Sequence, residues 1–356
     1  MRVLIVDDSA FMRRTLSQLI GSDPELQVVD TARNGEEGLE KAKKLHPDIV
    51  TLDIEMPIMD GLTALRRIRA ECVPPPAVLM CSSLTSEGSR EALKALRLGA
   101  SDFIVKQTSL AGLQGVRDEV VGKLKAIGAG LKSAGSHPAP AMHVRESHAA
   151  SAASIRGKAH DLILIGSSTG GPPVLEKLIN ALPSGLRVPV VVAQHMPALF
   201  TQSLSARLGE TAQVPVRHAT ENVALDAGAV YIIQGGRHGN VQRVGGRLAL
   251  KVTDEPKGLL YKPSVDELFR SGAHAVGSRA LAFILTGMGE DGVLGARDLH
   301  EAGAAMVAQD GSTCVVYGMP RAVVDANLAT AVMTPDEMVS VFSGLSGSET
   351  KRSNAA

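Results

Sequence analysis

A serine, a histidine and an aspartate, far apart in this 356-residue chain, could together perform nucleophilic catalysis. Ser168 lies in a Gly-Ser-Ser-Thr-Gly-Gly run that fits the Gly-x-Ser-x-Gly turn, which exposes a serine hydroxyl. His195 and Asp291 each follow another apolar run. Such a histidine can take the serine proton, and such an acid can orient the histidine. Each residue alone also fits a turn, a helix cap or the core, but the combination favours a hydrolase.

The glycine-rich turn around Ser168 has two competing interpretations. A run of this kind could also hold a phosphate at the N-terminus of the following helix. Residues 166–171 contain neither the lysine of a nucleotide-binding loop nor a spaced Gly-x-Gly-x-x-Gly pattern, and this disfavours nucleotide binding. The chain order serine, histidine, aspartate also differs from the order in α/β-hydrolases, which disfavours that fold.

A second set of residues could bind a cation and a phosphoryl group. Asp7 and Asp8 follow the first apolar run, and Asp53 ends the third. Carboxylates that converge repel one another unless a hard cation lies between them, and Mg²⁺ suits such ligands. Ser82 and Lys106, at the ends of later runs, add the hydroxyl and ammonium groups that a phosphoryl group would bind.

The elements that must position these groups are strands alternating with helices. Five apolar runs of the N-terminal part are predicted strands: 3–6, 27–31, 49–52, 77–81 and 103–106. Amphipathic stretches between them are predicted helices: 11–21, 35–45, 61–70 and 89–98. This alternation predicts an α/β, flavodoxin-like (βα)5 domain, whose functional groups lie at the carboxyl ends of parallel strands.

The C-terminal part predicts a second α/β domain. Its strongest predicted strands are 162–165, 188–193, 230–233, 281–285 and 305–308, with a helix over 174–181. A β-hairpin is predicted over 241–252, around Gly245-Gly246. A doubly wound parallel sheet would bring Ser168, His195 and Asp291 to one edge, because each follows a strand.

The length and local composition predict how the chain is divided. Two domains are expected, at 1–128 and 159–346, because the chain is too long for one ordinary core. Residues 129–158 are rich in Gly, Ser, Ala, Pro and His without apolar periodicity, which predicts a flexible linker. Residues 347–356 are predicted to form a polar tail.

The overall composition disfavours several classes of protein. Lys and Arg together number 37, as do Asp and Glu, so the net charge of zero gives no basis for nucleic-acid binding. No apolar run approaches the ~20 residues that span a bilayer, and the first residues do not fit a signal peptide. The three cysteines fit no metal site. We therefore expect a cytoplasmic protein without membrane insertion.

The N-terminal part resembles the receiver domains of two-component response regulators. The similarity covers about the first 120 residues and rests on these stretches: Val6–Ser9, Leu52–Pro57, Met59–Gly61, Ser82-Ser83, and Gly99–Phe103 with Lys106. The resemblance implies that Asp53 accepts a phosphoryl group from a histidine kinase. It also implies that Asp7, Asp8 and Asp53 hold the Mg²⁺ that phosphorylation requires.

The same resemblance implies roles for three further residues. Ser82 and Phe103 would form the switch pair, and Lys106 would contact the phosphoryl oxygens. One departure is Gln107, where receivers usually have proline. A cis bond before a residue other than proline costs ~3–4 kcal/mol, so we expect a different orientation of the lysine without loss of phosphorylation.

The C-terminal part resembles the chemotaxis protein-glutamate methylesterase family. The shared stretches are Gly166–Gly171, Gln194–Pro197, Lys262–Asp266, Leu285–Gly292, Ala308–Asp310 and Tyr317–Pro320. The resemblance implies that Ser168 is the nucleophile, His195 the general base and Asp291 its orienting acid. The backbone N–H of Met288 would stabilise the oxyanion, and Thr169 would lie beside the site. His238, near a proline-to-glutamine departure at Gln234, is interpreted as a structural or rim residue.

The two resemblances together imply a phosphorylation-controlled esterase. It would hydrolyse glutamate methyl esters on the cytoplasmic helices of chemoreceptors, release methanol without a cofactor, and could also deamidate glutamine. We hypothesise that the unphosphorylated receiver covers the serine and that phosphorylation loosens this docking. One alternative is an esterase of the same fold that acts on a signalling protein outside chemotaxis. A DNA-binding response regulator is less favoured, because the chain has no net basic charge.

Overall fold

The computed structural model describes residues 1–106, 113–134, 155 and 157–343. By its internal contacts the chain divides into two compact units, one built mainly from the first 138 residues and the other mainly from the rest. Gln107, most of the predicted linker and the predicted tail at 347–356 lie outside the described residues.

The N-terminal unit contains a parallel sheet of five strands in the order β2-β1-β3-β4-β5. The strands are β1 (Arg2–Val6), β2 (Gln27–Ala32), β3 (Ile49–Asp53), β4 (Ala77–Ser82) and β5 (Asp102–Val105). Strands β3 and β4 are buried throughout, because helices on both faces make a parallel strand apolar on both sides. The flavodoxin-like (βα)5 prediction is confirmed, since this strand order is that of the fold.

The described residues of this unit form five helices, and the first four begin at side chains that cap them. They are α1 (Ala10–Gly21), α2 (Gly35–Leu45), α3 (Gly61–Glu71), α4 (Ser86–Arg97) and α5 (Leu113–Ala134). Ser9, Asn34, Asp60 and Thr85 each accept a backbone N–H of the first turn, which satisfies a donor without an intrahelical partner. Residues 129–134 of the predicted linker are helical instead, because their alanine, leucine and lysine residues favour a helix.

The C-terminal unit contains a parallel sheet of seven strands in the order β15-β14-β13-β6-β7-β10-β8. Its strands are β6 (Leu162–Ser167), β7 (Val190–Gln194), β8 (Val216–Ala219), β10 (Val230–Ile233), β13 (Ala280–Ile284), β14 (Ala305–Gln309) and β15 (Ala331–Met333). The prediction of a doubly wound parallel sheet is confirmed. The edge strands β8 and β15 were not predicted, because they are short and only partly buried.

A small antiparallel sheet accompanies the large one. It contains β9 (Val223–Ala224), β11 (His238–Val244) and β12 (Arg247–Thr253), in the order β11-β12-β9. Strands β11 and β12 form the predicted hairpin. Gly245 and Gly246 make its turn with positive φ angles of 56° and 80°, which glycine adopts readily.

The helices of the C-terminal unit are α6 (Gly171–Asn180), α7 (Ala198–Thr211), α8 (Val265–Val276), α9 (Val293–Glu301), α10 (Met319–Asp325) and α11 (Pro335–Ser343). Helix α8 packs closely on β6: a Cβ at Gly272 would lie 2.4 Å from Leu164 Cδ1. The N-terminus of α8 is also close to this strand, because a Cβ at Gly166 would lie 2.3 Å from Val265 Cγ1. Among the described residues, no helix is both long enough and apolar enough to cross a membrane.

Candidate functional site

Ser168 lies on a tight turn between β6 and α6. The N–H of Gly171 donates to the carbonyl oxygen of Ser168 at 2.9 Å, and Gly170 has a φ of +77° that a residue with a side chain would adopt only with strain. Pro172 and Pro173 follow in the first turn of α6, where the N–H that proline lacks needs no partner. The turn leaves Ser168 half-buried, as expected for a serine that must meet a substrate.

The side chain of Gln194 supports this turn. Its Oε1 accepts a hydrogen bond from Ser167 Oγ at 2.5 Å, and its Nε2 donates to the carbonyl oxygen of Ser168 at 3.0 Å. The N–H of His195 donates to the carbonyl oxygen of Ser167 at 3.0 Å. The turn that carries the serine is therefore bonded to the end of β7, which carries the histidine. No role for Gln194 was predicted from the sequence.

His195 and Asp291 form a buried pair. The imidazole Nε2 lies 2.8 Å from Asp291 Oδ2, and each side chain is 8% exposed. A carboxylate oxygen accepts, so we assign the proton of the neutral ring to Nε2. The other ring nitrogen, Nδ1, is buried and has no hydrogen-bond partner among the residues that the structure describes. Nδ1 is thus the nitrogen that remains to take a proton, although it is not bonded to Ser168 in this structure.

The N-terminus of α8 holds Asp291 in place. Its carboxylate accepts hydrogen bonds from Ser264 Oγ at 3.0 Å and from the N–H groups of Val265 and Asp266 at 2.7 and 3.1 Å. Burial alone would raise the pKa of Asp291, but the hydrogen bond and charge of His195 and these N–H groups bring its pKa below the ordinary value. Asp291 is therefore a carboxylate at neutral pH.

A second carboxyl group, Asp266, connects α8 to the loop that carries Asp291. Its Oδ1 accepts from the N–H groups of Gly292 and Gly295, both at 2.9 Å. Burial raises the pKa of Asp266 to about 6, the N–H groups oppose this, and the charge of Asp291 adds to it. The role of Asp266 was not predicted. A signal was present, since Ser264 and Glu267 have the spacing of a capping box, which marks the start of this helix.

Tyr261 contacts the pair, and His238 supports the start of α8; neither contact was predicted from the sequence. The ring of Tyr261 stacks on the His195 imidazole, with 4.3 Å between ring centroids and 4° between planes. His238 is fully buried, and its Nδ1 accepts from the N–H of Ser264 at 3.2 Å. Of the two interpretations left open for His238, the structure therefore supports a structural residue rather than a rim residue.

The oxyanion residues implied by the resemblance lie in two loops. Thr169 directly follows Ser168 and is 3% exposed. Met288 belongs to the loop after β13, three positions before Asp291. The N–H of Leu285 donates to the carbonyl oxygen of Gly166 at 2.9 Å, which joins the ends of β13 and β6. The catalytic roles of Thr169 and Met288 stay predictions.

The N-terminal unit brings together the predicted acidic residues. Oxygen atoms of Asp7, Asp8 and Asp53 lie within 4.8 Å of one another. Lys106 Nζ lies 2.9 Å from Asp7 Oδ2 and 2.7 Å from Asp53 Oδ2. Asp7 Oδ2 is buried and, among the described residues, has an ion pair with Lys106 but no aligned hydrogen bond. We call these three carboxylates the acid cluster; their number and spacing fit a divalent cation.

The electrostatics of the acid cluster are dominated by burial. Burial raises the pKa of Asp53 to about 6, the hydrogen bond and charge of Lys106 lower it, and the charges of Asp7 and Asp8 raise it further. A bound cation would favour the charged form and oppose this shift. The donor set is thus suited to Mg²⁺, which prefers carboxylate oxygens.

The predicted switch residues are both buried. Ser82 Oγ donates to the carbonyl oxygen of Gly88 in α4 at 2.8 Å. The Phe103 side chain is 3% exposed, with Lys123 Nζ 5.2 Å from its ring centroid. Their role in switching stays a prediction.

A cleft of about 300 Å³ lies at the opposite ends of the strands in the C-terminal unit. It is bordered by Asp161, Pro189, residues 224–227, Arg243 and residues 246–248. Its acids are paired, Asp161 with Arg279 and Asp226 with Arg217, each at 2.6 Å. Because these charges balance one another, and the cleft is formed before β6 and β7 rather than after them, it is not part of the catalytic constellation.

Two sequence families match the chain, one in each half. The family described as CheB methylesterase matches residues 163–342, and the response regulator receiver domain family matches residues 3–116. A relative from Oleidesulfovibrio alaskensis, named protein-glutamate methylesterase/protein-glutamine glutaminase 1, is 48% identical over 95% of this chain and 97% of its own length. One from Nitratidesulfovibrio vulgaris, with the same name and the number 2, is 43% identical over 96% of this chain and 99% of its own.

Solved structures resemble each half separately. The CheB methylesterase catalytic domain of Thermotoga maritima is 35% identical and covers 52% of this chain and 100% of its own, with a TM-score of 0.49. The response regulator domain of CheB from the same organism is 46% identical and covers 35% of this chain and 93% of its own, with a TM-score of 0.33.

Proposed function

The chain belongs to the CheB methylesterase family, and on this premise we propose that it hydrolyses glutamate methyl esters on chemoreceptors under the control of its receiver domain. The observation that carries the proposal is the pairing of His195 Nε2 with Asp291 at 2.8 Å, which leaves Nδ1 unpartnered. A histidine held in this way, on the strand next to the one that leads to the half-buried Ser168, is arranged for general-base catalysis.

In the proposed reaction, Ser168 Oγ attacks the carbonyl carbon of the glutamate methyl ester while His195 Nδ1 takes the hydroxyl proton. Asp291 stabilises the resulting imidazolium through Nε2. The tetrahedral intermediate then expels methanol, which takes its proton from Nδ1, and a glutamyl-serine ester remains. Water, activated by Nδ1, hydrolyses this ester and regenerates the serine.

The negative charge that develops on the carbonyl oxygen requires hydrogen-bond donors. We assign this role to backbone N–H groups of the serine turn and of Met288, with Thr169 beside them; one such donor typically contributes ~10²–10³ in rate. The ester chemistry in this proposal uses no cofactor. A glutamine side chain could react through the same acyl intermediate, with ammonia as the leaving group in place of methanol.

The receiver is proposed to be phosphorylated on Asp53 by the histidine kinase of a chemotaxis-type pathway. Asp7, Asp8 and Asp53 would hold Mg²⁺, which would neutralise charge on the phosphoryl group. An oxygen of Asp53 would attack the phosphorus of the kinase phosphohistidine, and the bond between that phosphorus and the histidine nitrogen would break. Lys106, now 2.7 Å from Asp53 Oδ2, would bind the phosphoryl oxygens. Ser82 and Phe103 would then report phosphorylation as the switch pair.

The proposed partners define where the protein acts. The substrates would be the methylated cytoplasmic helices of chemoreceptors, so we propose a cytoplasmic enzyme that neither enters the membrane nor binds nucleic acid. The family matches favour neither of the two alternatives, which are an esterase that acts outside chemotaxis and a DNA-binding regulator.

The decisive experiment follows methanol release from methyl-labelled receptor membranes. Wild type, Ser168→Ala and Asp53→Asn would each be assayed with and without Mg²⁺ and a small-molecule phosphodonor. We expect release by wild type, stimulation by the phosphodonor, no release by Ser168→Ala, and basal release without stimulation by Asp53→Asn. Absence of release by wild type under all conditions would refute methylesterase activity on receptors, while stimulation of Asp53→Asn would refute control through that residue.

A further inference from the structure

The ring of Tyr261 lies flat against the imidazole of His195, with centroids 4.3 Å apart and planes inclined by 4°. We propose that Tyr261 is a positioning residue for the general base: its ring fixes the plane of the imidazole and stabilises the positive charge that the imidazole acquires in the reaction. The inference rests on the proposed ester hydrolysis and adds a residue to its machinery.

The stacked ring of Tyr261 restricts the tilt of the imidazole. The hydrogen bond from Nε2 to Asp291 fixes one atom of the ring, but a ring held at one atom can still tilt. A second flat surface parallel to the ring removes this freedom. Because the lone pair of Nδ1 lies in the ring plane, the orientation of that plane decides the direction from which the proton of Ser168 is received, and small misalignments of reacting groups slow catalysis strongly.

The ring of Tyr261 also stabilises the charged form of the imidazole. The face of an aromatic ring is negative, and it attracts a cation within ~6 Å of its centroid. The neutral imidazole carries no net charge, whereas the imidazolium formed during attack does. The stack is therefore stronger in the transition state than in the ground state, which is the condition for raising kcat. Since His195 is 8% exposed, water screens this attraction weakly.

The surroundings of Tyr261 hold it in this position. A Cβ at Gly289 would lie 3.1 Å from Tyr261 Oη, and Gly289 has a φ of +82°. The hydroxyl end of the phenol ring thus lies beside Gly289, in the loop that carries Asp291, while the ring face lies against the imidazole. Burial raises the pKa of the Tyr261 hydroxyl, and the charge of Asp291 adds to the effect, so the phenol adds no negative charge beside that carboxylate.

Two substitutions in the full-length protein test the proposal. Tyr261→Phe keeps the ring, whereas Tyr261→Leu keeps an apolar side chain without an aromatic face. For methanol release from methylated receptor membranes, we expect kcat to fall less than about twofold in the phenylalanine variant and about tenfold in the leucine variant, with KM changed less than about threefold. The acid limb of the kcat/KM profile should move to lower pH in the leucine variant only.

The outcomes separate this proposal from the proposed function. A leucine variant with the kcat and pH profile of wild type overturns the positioning role and leaves the esterase standing, and so do equal losses in both variants, because they exclude the ring as the cause. If wild type releases no methanol, the stack is tested by NMR, since ring-proton shifts of His195 must move in Tyr261→Leu; unchanged shifts overturn it. Tyr261→Met replaces the leucine variant if the latter does not fold.

Discussion

The two functional regions of this protein differ in how their buried charges are balanced. In the acid cluster, Lys106 pairs with two of the three carboxylates, and within the described part of the chain Asp7 Oδ2 has no aligned hydrogen bond. In the active site, the carboxylate of Asp291 accepts four hydrogen bonds, from His195 and from the start of α8. The first region has charge left to compensate, whereas the second is already satisfied.

This difference suits the two tasks. A receiver must change when a ligand arrives, and uncompensated negative charge gives a cation or phosphoryl group a large effect on the surrounding structure. A catalytic site must instead hold its charges in place before the substrate arrives, because preorganised groups need no rearrangement during the reaction. The opposite shifts of pKa, upward for Asp53 and downward for Asp291, express the same contrast.

The largest effect is expected for Ser168→Ala, which tests whether the two regions are chemically independent. Loss of the nucleophile should lower methanol release by at least ~10⁴-fold, while phosphorylation of Asp53 by a small phosphodonor continues at the rate of wild type. Both reactions can be followed on one sample. A variant that still releases methanol would mean that another residue is the nucleophile.

The next largest effect is expected for Asp291→Asn, which removes the charge and keeps the shape. Loss of the carboxylate should lower kcat by ~10³–10⁴-fold, because the imidazolium loses its counter-charge and the ring its preferred tautomer. The amide oxygen can take the place of Oδ1 and still accept from Ser264 Oγ and the N–H of Asp266, so the melting temperature should change by only a few degrees. If this variant has the same kcat as wild type, Asp291 is not the orienting acid.

At the acid cluster we expect removal of a charge to stabilise the fold. The folded carboxyl of Asp53 has a pKa of about 6 against an ordinary 3.8, so the folded receiver binds this proton more tightly than the unfolded chain does, and stability falls as pH rises between those values. Asp53→Asn should therefore be more stable by about 1–3 kcal/mol at pH 7, with the difference vanishing near pH 4.

Thermal unfolding of the receiver, measured with and without Mg²⁺, checks this prediction. The cation should raise the melting temperature of wild type much more than that of Asp53→Asn, because it compensates the charge that the variant lacks. Lower stability of the variant at pH 7 would show that the pairing with Lys106 outweighs burial, which is the reverse of the contrast drawn here.

The smallest effect is expected for Asp266→Ala, which tests how far the preformed active site depends on the support of the loop that carries Asp291. Gly292 and Gly295 would lose their acceptor, and the loop that carries Asp291 would become less ordered. We expect kcat to fall about tenfold and stability by about 1–3 kcal/mol, from two unsatisfied N–H groups. Asp266→Asn, which keeps an acceptor oxygen, is the matched control, and equal behaviour of the two variants would argue against this role.

The sequence predicted the groups that directly follow strands much better than the groups that support them. Asp7, Asp53, Ser168 and His195 all lie where the alternation of strands and helices placed them, because the carboxyl ends of parallel strands meet at one edge. The acid Asp291 was also expected beyond its strand. These positions depend on periodicity along the chain, which can be counted.

The supporting contacts depend instead on which distant loops meet, and periodicity carries no information about that. Tyr261 belongs to a loop with no regular pattern, yet its ring reaches His195. Gln194 directly precedes the predicted base in the chain, but nothing in the sequence pattern indicates that its side chain holds the serine turn. Ser264 and Glu267 did carry the pattern of a helix start, but the pattern does not reveal that a carboxylate from another loop binds there.

Asp291 is hydrogen-bonded to the first turn of α8, so catalysis depends on the least stable part of a helix. Helix ends fray before helix centres, and here fraying would release the N–H groups of Val265 and Asp266 from the catalytic carboxylate. The central strands, buried throughout, would still be intact at that moment. Heat should therefore yield a population that keeps its central strands and nearly all of its secondary structure but has no esterase activity. This activity should return on cooling.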